Sequence, residues 1–352
     1  MNGQGTPLIE DAVRQLQQLS DQTGDWVVER FYQAHPEVLE KFGPRGRQIC
    51  RQDMDHHLRF LLAALESGSP GFFTNYIQWL ASVLENRGLP TEHLQDSLRL
   101  IDDFITTCLT GDTAVPIRQL LNEGIAALEK ERPALPAFYR YLPEPAPESR
   151  SFTTALLEGN RLTAQAIAGA KLHAGSNLID IGVEVVQPAL YEIGQLWQIN
   201  RASVAQEHLA TAICQNILAR AFMHAEMAPP CDRKALFSCV EGNHHSLGLR
   251  MVSDAFELQG WEVAYLGADT PTPALLAQIE QWRPDIVGLS LALPHHIAVA
   301  RTIIDRCHSQ FGARCPVIMI GGLAINTVDN LWKRIGADVW CPDAHTARRE
   351  AA

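Results

Sequence analysis

The sequence predicts a multidomain chain of the α + α/β kind: an all-α N-terminal domain, then a four-helix bundle, then a parallel sheet with helices on both faces. Three observations carry this expectation. Apolar residues recur at helical spacing through residues 7–132, with no run of alternating strands. Prolines crowd into residues 133–150. From about residue 234, short apolar runs alternate with helical stretches. The expected boundaries are 1–132, 133–150, 151–230 and 231–352.

In the first segment Leu58, Leu61, Leu62 and Leu65 share a helical face, as do Trp79, Leu80, Val83 and Leu84. Gly88-Leu-Pro90 interrupts the pattern, and Pro116 suits the first turn of a further helix, where its missing N–H costs nothing. Pro133, Pro136, Pro143, Pro145 and Pro147 favour extended backbone and mark a linker. Residues 151–228 hold few breakers and are long enough for about four helices. The runs Ala235–Val240, Glu262–Leu266, Ile286–Leu291 and Val317–Ile320 read as strands of a parallel sheet. Ligands of such sheets sit beyond the carboxyl ends of the strands, so the loops holding His245, Ser290 and Gly321-Gly322 should converge on one edge.

Composition narrows the function classes. The 352 residues are 46% hydrophobic and 20% charged, as in ordinary globular chains, and the net charge of -11 disfavours a nucleic-acid-binding face. No apolar run approaches the ~20 residues needed to cross a bilayer. No basic, then apolar, leader opens the chain. The eight cysteines, at positions 50, 108, 214, 231, 239, 307, 315 and 341, form no C-x-x-C pair. The expectation is a cytoplasmic protein with no zinc knuckle, no membrane partner and no nucleic-acid partner.

A chemistry is suggested by Val240-Glu-Gly-Asn-His-His-Ser-Leu-Gly248. A loop between a strand and a helix can present the His245 imidazole, a good axial ligand for a transition metal, while Gly248 lets the backbone approach a bound group. With Tyr265-Leu-Gly-Ala-Asp-Thr-Pro271, Gly288-Leu-Ser290 and Gly321-Gly322, the stretch resembles the Rossmann-like cobalamin-binding module in which a His replaces the corrinoid's own lower base. That resemblance implies His245 as cobalt ligand, with Asn243, His244, Ser246 and Gly248 around it. It implies Ser290 against the displaced nucleotide base, and Gly321 and Gly322 making room for the nucleotide tail. Methyl-transferring corrinoid proteins usually carry Asp two residues before the His; Asn243 cannot bear that charge.

Upstream, Gly194-Gln-Leu-Trp197 and Ser203-Val-Ala-Gln-Glu-His-Leu209 resemble the helical cap of light-sensing adenosylcobalamin domains in bacterial transcription regulators. The resemblance, over about residues 151–345, implies that Trp197 covers the adenosyl group and that Glu207 and His208 line the same pocket. Two departures are present. The N-terminal segment does not read as a winged helix, and Gln198 stands where some relatives place a His that binds cobalt after photolysis.

The second signal is Cys50-Arg-Gln-Asp53-Met-Asp-His56-His57-Leu-Arg59, which is similar to the chromophore helix of phycobiliproteins, with His56-His57 in place of a Tyr pair. A carboxylate at Asp53 can accept hydrogen bonds from pyrrole N–H groups. The resemblance, over about residues 20–125, implies a globin/phycobiliprotein-like domain binding a linear tetrapyrrole such as biliverdin. Arg45, Arg47 and Arg51 would lie near its propionates, Tyr76 and Trp79 would form a wall, and Cys50 is a candidate for a thioether. A haem-binding globin sensor is the alternative for this domain. As a whole the chain resembles the photocobilins. The implied function is a non-enzymatic light sensor whose cobalt–carbon photolysis shifts domain packing and homo-oligomeric contacts and signals to a further protein; a corrinoid methyl carrier is the other reading.

Overall fold

The computed structural model describes residues 7–109, 111–130 and 146–352. They fall into two units, 1–137 and 138–352. The helical spacing in the first unit becomes α1 (Pro7–Ala34), α2 (Pro36–Ser67), α3 (Gly71–Glu85), α4 (Thr91–Cys108) and α5 (Ala114–Leu128). Leu16, Leu58, Leu61, Phe73, Ile77, Leu98, Ile101 and Ile117 form the buried interior. Gly124 lets α5 approach α3, because a Cβ there would fall 2.6 Å from the Phe73 ring. Pro116 occupies the first turn of α5, and Gly88 and Pro90 lie between α3 and α4. Within α2 the helix is broken at Gly43, whose φ of 61° precedes Pro44. Most of the expected linker lies outside the described residues. Its end does not stay extended: a helix begins at Ser149, two residues inside the expected linker, once the last proline, Pro147, has passed.

The second unit opens with α6 (Ser149–Leu157), α7 (Arg161–His173), α8 (Leu178–Ile181), α9 (Gln187–Gln198) and α10 (Val204–Phe222). A π-helical turn, Gly182–Val186, joins α8 to α9, so the described chain here makes four rods. Pro188 explains the turn. It has no N–H to donate to the carbonyl of Glu184 four residues earlier. That carbonyl instead accepts from the Ala146 N–H at 3.0 Å, so a buried acceptor is satisfied from outside the helix.

The sheet follows as β1 (Lys234–Cys239), α11 (Leu247–Leu258), β2 (Glu262–Gly267), α12 (Thr272–Trp282), β3 (Ile286–Ser290), α13 (His296–Phe311), β4 (Val317–Gly321), α14 (Leu323–Asn326), α15 (Leu331–Arg334), β5 (Val339–Cys341) and α16 (Ala344–Ala351). All pairings are parallel, in the order β2-β1-β3-β4-β5. This is a Rossmann-like doubly wound sheet, and its fifth strand was not foreseen. Bundle and sheet share one core: Phe152, Ile181, Val185, Val186, Ile193 and Ile217 pack in the same cluster as Phe237, Met251, Phe256, Trp261 and Ala347. The Trp261 indole N–H donates to the Ala351 carbonyl at 2.8 Å and fastens the last helix to the sheet.

In the sheet interior Phe237 on β1 faces Gly288 on β3. A Cβ at Gly288 would lie 2.3 Å from the Phe237 ring. Gly288→Ala therefore forces overpacking and is expected to lower unfolding stability by about 1–3 kcal/mol. Urea denaturation should show a lower midpoint with an unchanged slope.

Candidate functional site

The strand order reverses direction between β1 and β3, the point at which sheets of this kind open a crevice beyond the carboxyl ends of their strands. Two loops meet there by backbone hydrogen bonding. After β1, Gly242 takes a φ of 83° and its N–H donates to the Asp269 carboxylate at 2.7 Å. The Asp269 N–H returns to the Asn243 carbonyl at 3.0 Å, and the Glu241 carboxylate accepts the Thr272 N–H at 3.1 Å. The loop after β2 thus fixes the loop after β1.

Asn243 is fully buried. Its side-chain N–H donates to the Ser290 carbonyl at 2.8 Å, and its side-chain oxygen accepts the His245 backbone N–H at 3.1 Å. The amide is thereby committed to the backbone and positions the loop. His245 itself is exposed to solvent, yet enough protein surrounds it for desolvation to lower its pKa. Together these two facts describe a recess. The nearby Glu207 charge pushes the pKa up and His244 pushes it down, but burial is the larger effect. At neutral pH the imidazole is therefore uncharged, with a lone pair free for a metal.

Below the loop the Cys239 thiol contacts the His245 carbonyl at 3.7 Å and hydrogen-bonds Ser290, and burial pushes its pKa up to about 11. It stays a thiol and does not compete as a ligand. The Tyr265 hydroxyl donates to the Ser246 carbonyl at 3.2 Å. Arg250 lies over the rings of Phe222 and Tyr265 and pairs with Asp254 at 2.6 Å. Glu241 and Arg250 went unnoticed in the sequence, although the Arg250–Asp254 spacing of four residues on a helix was a legible signal.

From the bundle, Trp197 stands near the end of α9, half-buried, on the same face as Gly194 three residues before it. A Ser203–Gln206 capping box starts α10 and sets Glu207 in its first turn. Glu207 accepts from Thr211 at 3.2 Å and contacts His208 at 2.6 Å, and His208 points largely into solvent. The Glu207 charge reaching His245 brings this end of the bundle to the crevice. A Cβ added at Gly194 or Gly248 would meet open space. A neutral accessible imidazole, open space at two glycines and a buried loop anchor fit a planar metal cofactor entering between bundle and sheet. Gly321 and Gly322 carry a different constraint. Their missing Cβ positions lie 2.4 Å from the carbonyl oxygens of Cys341 and Leu291, so glycine is required at both by the neighbouring backbone.

In the first unit the expected residues separate. Arg51 is held by Asp25 at 2.7 Å, by Asp21 at 3.4 Å and by Asp55, joining α1 to α2, so it is not free for a propionate as expected. Its neighbours on α1 are acidic and satisfy it internally. Cys50 is half-buried, and desolvation with the Asp53 charge pushes its pKa to about 12, which leaves it a weak nucleophile rather than a ready thioether donor. His57 is buried and bonded through Nδ1 to the Tyr76 hydroxyl at 2.8 Å, whereas His56 next to it is exposed. Tyr76 stacks on Phe60 with centroids 3.9 Å apart and lies 6.2 Å from Trp79. Exposed Arg47 lies over the Tyr32 ring at 5.8 Å. Asp53 sits half-buried among Tyr32, Cys50 and Tyr76, and burial raises its carboxyl to about 6.

Comparison with known proteins bears on the second unit. Residues 233–352 match the family described as B12 binding domain, and residues 149–221 match a second family of the same description. The chain is 33% identical over 177 residues to the HTH-type transcriptional repressor CarA of Myxococcus xanthus, covering 48% of this chain and 54% of the relative. It is 27% identical over 158 residues to CarH of the same organism, covering 45% and 52%. The chain therefore spans about half the length of these curated relatives. Both are named as repressors and neither as an enzyme. Among solved structures, the Methanosarcina barkeri monomethylamine corrinoid protein superposes with a TM-score of 0.52 at 18% identity, over 57% of this chain and 95% of that one, and shares the fold. Among the described residues no helix is long and apolar enough to cross a membrane.

Removing the Asn243 amide takes away the partner of the His245 N–H and leaves the Ser290 carbonyl with the Val240 N–H, at 3.3 Å, alone. Asn243→Ala is expected to cost about 1–3 kcal/mol in unfolding stability. Asp53 supplies a pH test. The unfolded carboxyl ionises near 3.8 and the folded one near 6, so folding takes up a proton between them and stability falls as pH rises through that window. Asp53→Asn should stabilise the ligand-free chain at pH 7, by on the order of 1–3 kcal/mol, and leave it nearly unchanged at about pH 3. Equal pH dependence of the two chains in denaturant titrations would refute the burial of this carboxylate.

Proposed function

We propose that the two B12-binding segments form one adenosylcobalamin site with His245 as lower ligand, and that the chain is a light sensor rather than an enzyme. The observation that carries this reading is the solvent-exposed imidazole of His245 on a loop that Asn243 anchors, with Glu207 from the start of α10 near enough for its charge to act on it. Adenosylcobalamin supplies, when bound, a cobalt–carbon bond that visible light breaks. The residues of this chain hold and frame the group. Asn243 and Asp269 fix the loop of His245, and Gly248 leaves space beside it. In this reading Trp197 and Glu207 would cover the upper side of the group, and the core shared by bundle and sheet would turn a change at that side into a change of packing. The output in this reading is altered self-association, passed to a further protein.

For the first unit the same proposal assigns a globin-like fold binding a linear tetrapyrrole such as biliverdin. Asp53 supports it. It is a half-buried carboxylate which, among the described residues, forms no ion pair, and it lies beside aromatic side chains. Pyrrole N–H donors would supply its missing partners. Arg47, on the surface beside Tyr32, is better placed than Arg51 to meet a propionate.

The full chain loaded with adenosylcobalamin in the dark should change its visible spectrum and its elution volume under green light. His245→Ala should lose the His-on spectrum. Loss of light response together with methyl transfer from a methylcobalamin-loaded chain would replace this reading with that of a methyl carrier. Added biliverdin should give a far-red band that weakens in Asp53→Ala; a Soret band on adding haem instead would assign the first unit to haem.

A further inference from the structure

His35 occupies the break between α1 and α2. Pro36 disfavours helical backbone at the preceding residue, and His35 takes φ -125° and ψ 65°, while its N–H keeps a hydrogen bond to the Phe31 carbonyl at 2.8 Å. The imidazole is therefore fixed at a corner. His93, in the first turn of α4, comes to meet it, with ring centroids 4.7 Å apart, and the Phe31 ring lies against both. Two carboxylates complete the group. Nδ1 of His35 is 3.4 Å from Glu37, and Nε2 is 3.1 Å from Asp96.

A neutral imidazole has one N–H and one lone pair. Whichever tautomer His35 adopts, its lone pair then faces a carboxylate, a repulsive arrangement. A second proton on the ring would relieve it, and so would a metal ion. The neighbouring His93 and the clustering of donors favour the metal. One donor atom each from His35, Glu37 and His93 lies within 4.8 Å of the others. Zinc bonds of ~2.0–2.2 Å place tetrahedral ligands about 3.4 Å apart, the separation that His35 Nδ1 and Glu37 already have; any remaining closure is between this pair and His93.

We propose that His35, Glu37 and His93 form a divalent transition-metal site, best suited to zinc, with Asp96 as the positioning residue for His35. The Nε2–H of His35 donates to Asp96, which directs the Nδ1 lone pair to the metal. Arg99, 3.5 Å from the other oxygen of Asp96, steadies that carboxylate. Two imidazoles and one carboxylate leave a fourth position for water or a ligand. Bound metal would staple the α1–α2 corner to the start of α4, at the opening of the helix that carries Asp53 further along.

The test is titration of the untagged full chain, first stripped with chelator, with Zn2+ in competition with a chromophoric chelator. One equivalent should bind with micromolar or tighter affinity and raise the thermal midpoint of unfolding. His93→Gln and Glu37→Gln should each weaken binding at least ~10-fold, and Asp96→Asn by a similar factor through His35. Glu37 lies on the surface, so its variant is expected to fold and keeps the test decisive. Absence of saturable binding, or equal binding by the variants, overturns the proposal. The four side chains would then be an imidazolium held between two carboxylates, or the metal would sit on other residues.

Discussion

A single buried amide governs the arrangement of the second unit's crevice. Asn243 is fully enclosed, and an enclosed amide must find partners for both its oxygen and its N–H. It finds them on two different segments, the end of β3 and the loop after β1. The requirement therefore sets where His245 stands relative to the sheet. The positive φ of Gly242, the Asp269 carboxylate and the Glu241 contact to the α12 start all serve the same loop. Because the side chain that anchors the loop is uncharged, the imidazole gains no carboxylate behind it. Its pKa is set chiefly by desolvation, with Glu207 across the crevice opposing.

The other constraint is the common core of bundle and sheet. The last helix, α16, packs into a cluster with residues from the π turn and from α11, and the Trp261–Ala351 hydrogen bond closes it. Gly182 adds to this. A Cβ there would lie 2.7 Å from the Met251 sulfur, so the π turn sits tightly against α11. A bundle joined to a sheet in this way has no lubricated plane between its parts, and close-packed interiors shift between discrete arrangements rather than yield smoothly.

Much of this was legible before the structure. Four strands declared themselves as short apolar runs, and the crossovers between them as helical stretches, because a buried parallel strand needs apolar side chains on both faces. The strand Val339–Cys341 did not, since three residues carry no periodicity. The loop of His245 was legible because a histidine set between a strand and a helix is a local pattern. The partners of Arg51 were not, since Asp21 and Asp25 lie on the preceding helix and only packing brings them near. Gly321-Gly322 reads in sequence as a gap for a ligand. In the fold each glycine is demanded by a carbonyl of a neighbouring segment, Cys341 for one and Leu291 for the other. Sequence tells that a Cβ is forbidden there, but not what forbids it.

The hydrogen bond from Ala146 to the Glu184 carbonyl has a bearing on modularity. Helix α6 begins at Ser149, and a boundary drawn by secondary structure would start the second unit there. Yet the acceptor left idle by Pro188 is satisfied three residues earlier, by a stretch with no regular structure. Heritable shuffling of this unit between proteins has to carry those few residues along, so the smallest self-sufficient piece is defined by an unmet acceptor and not by where a helix starts.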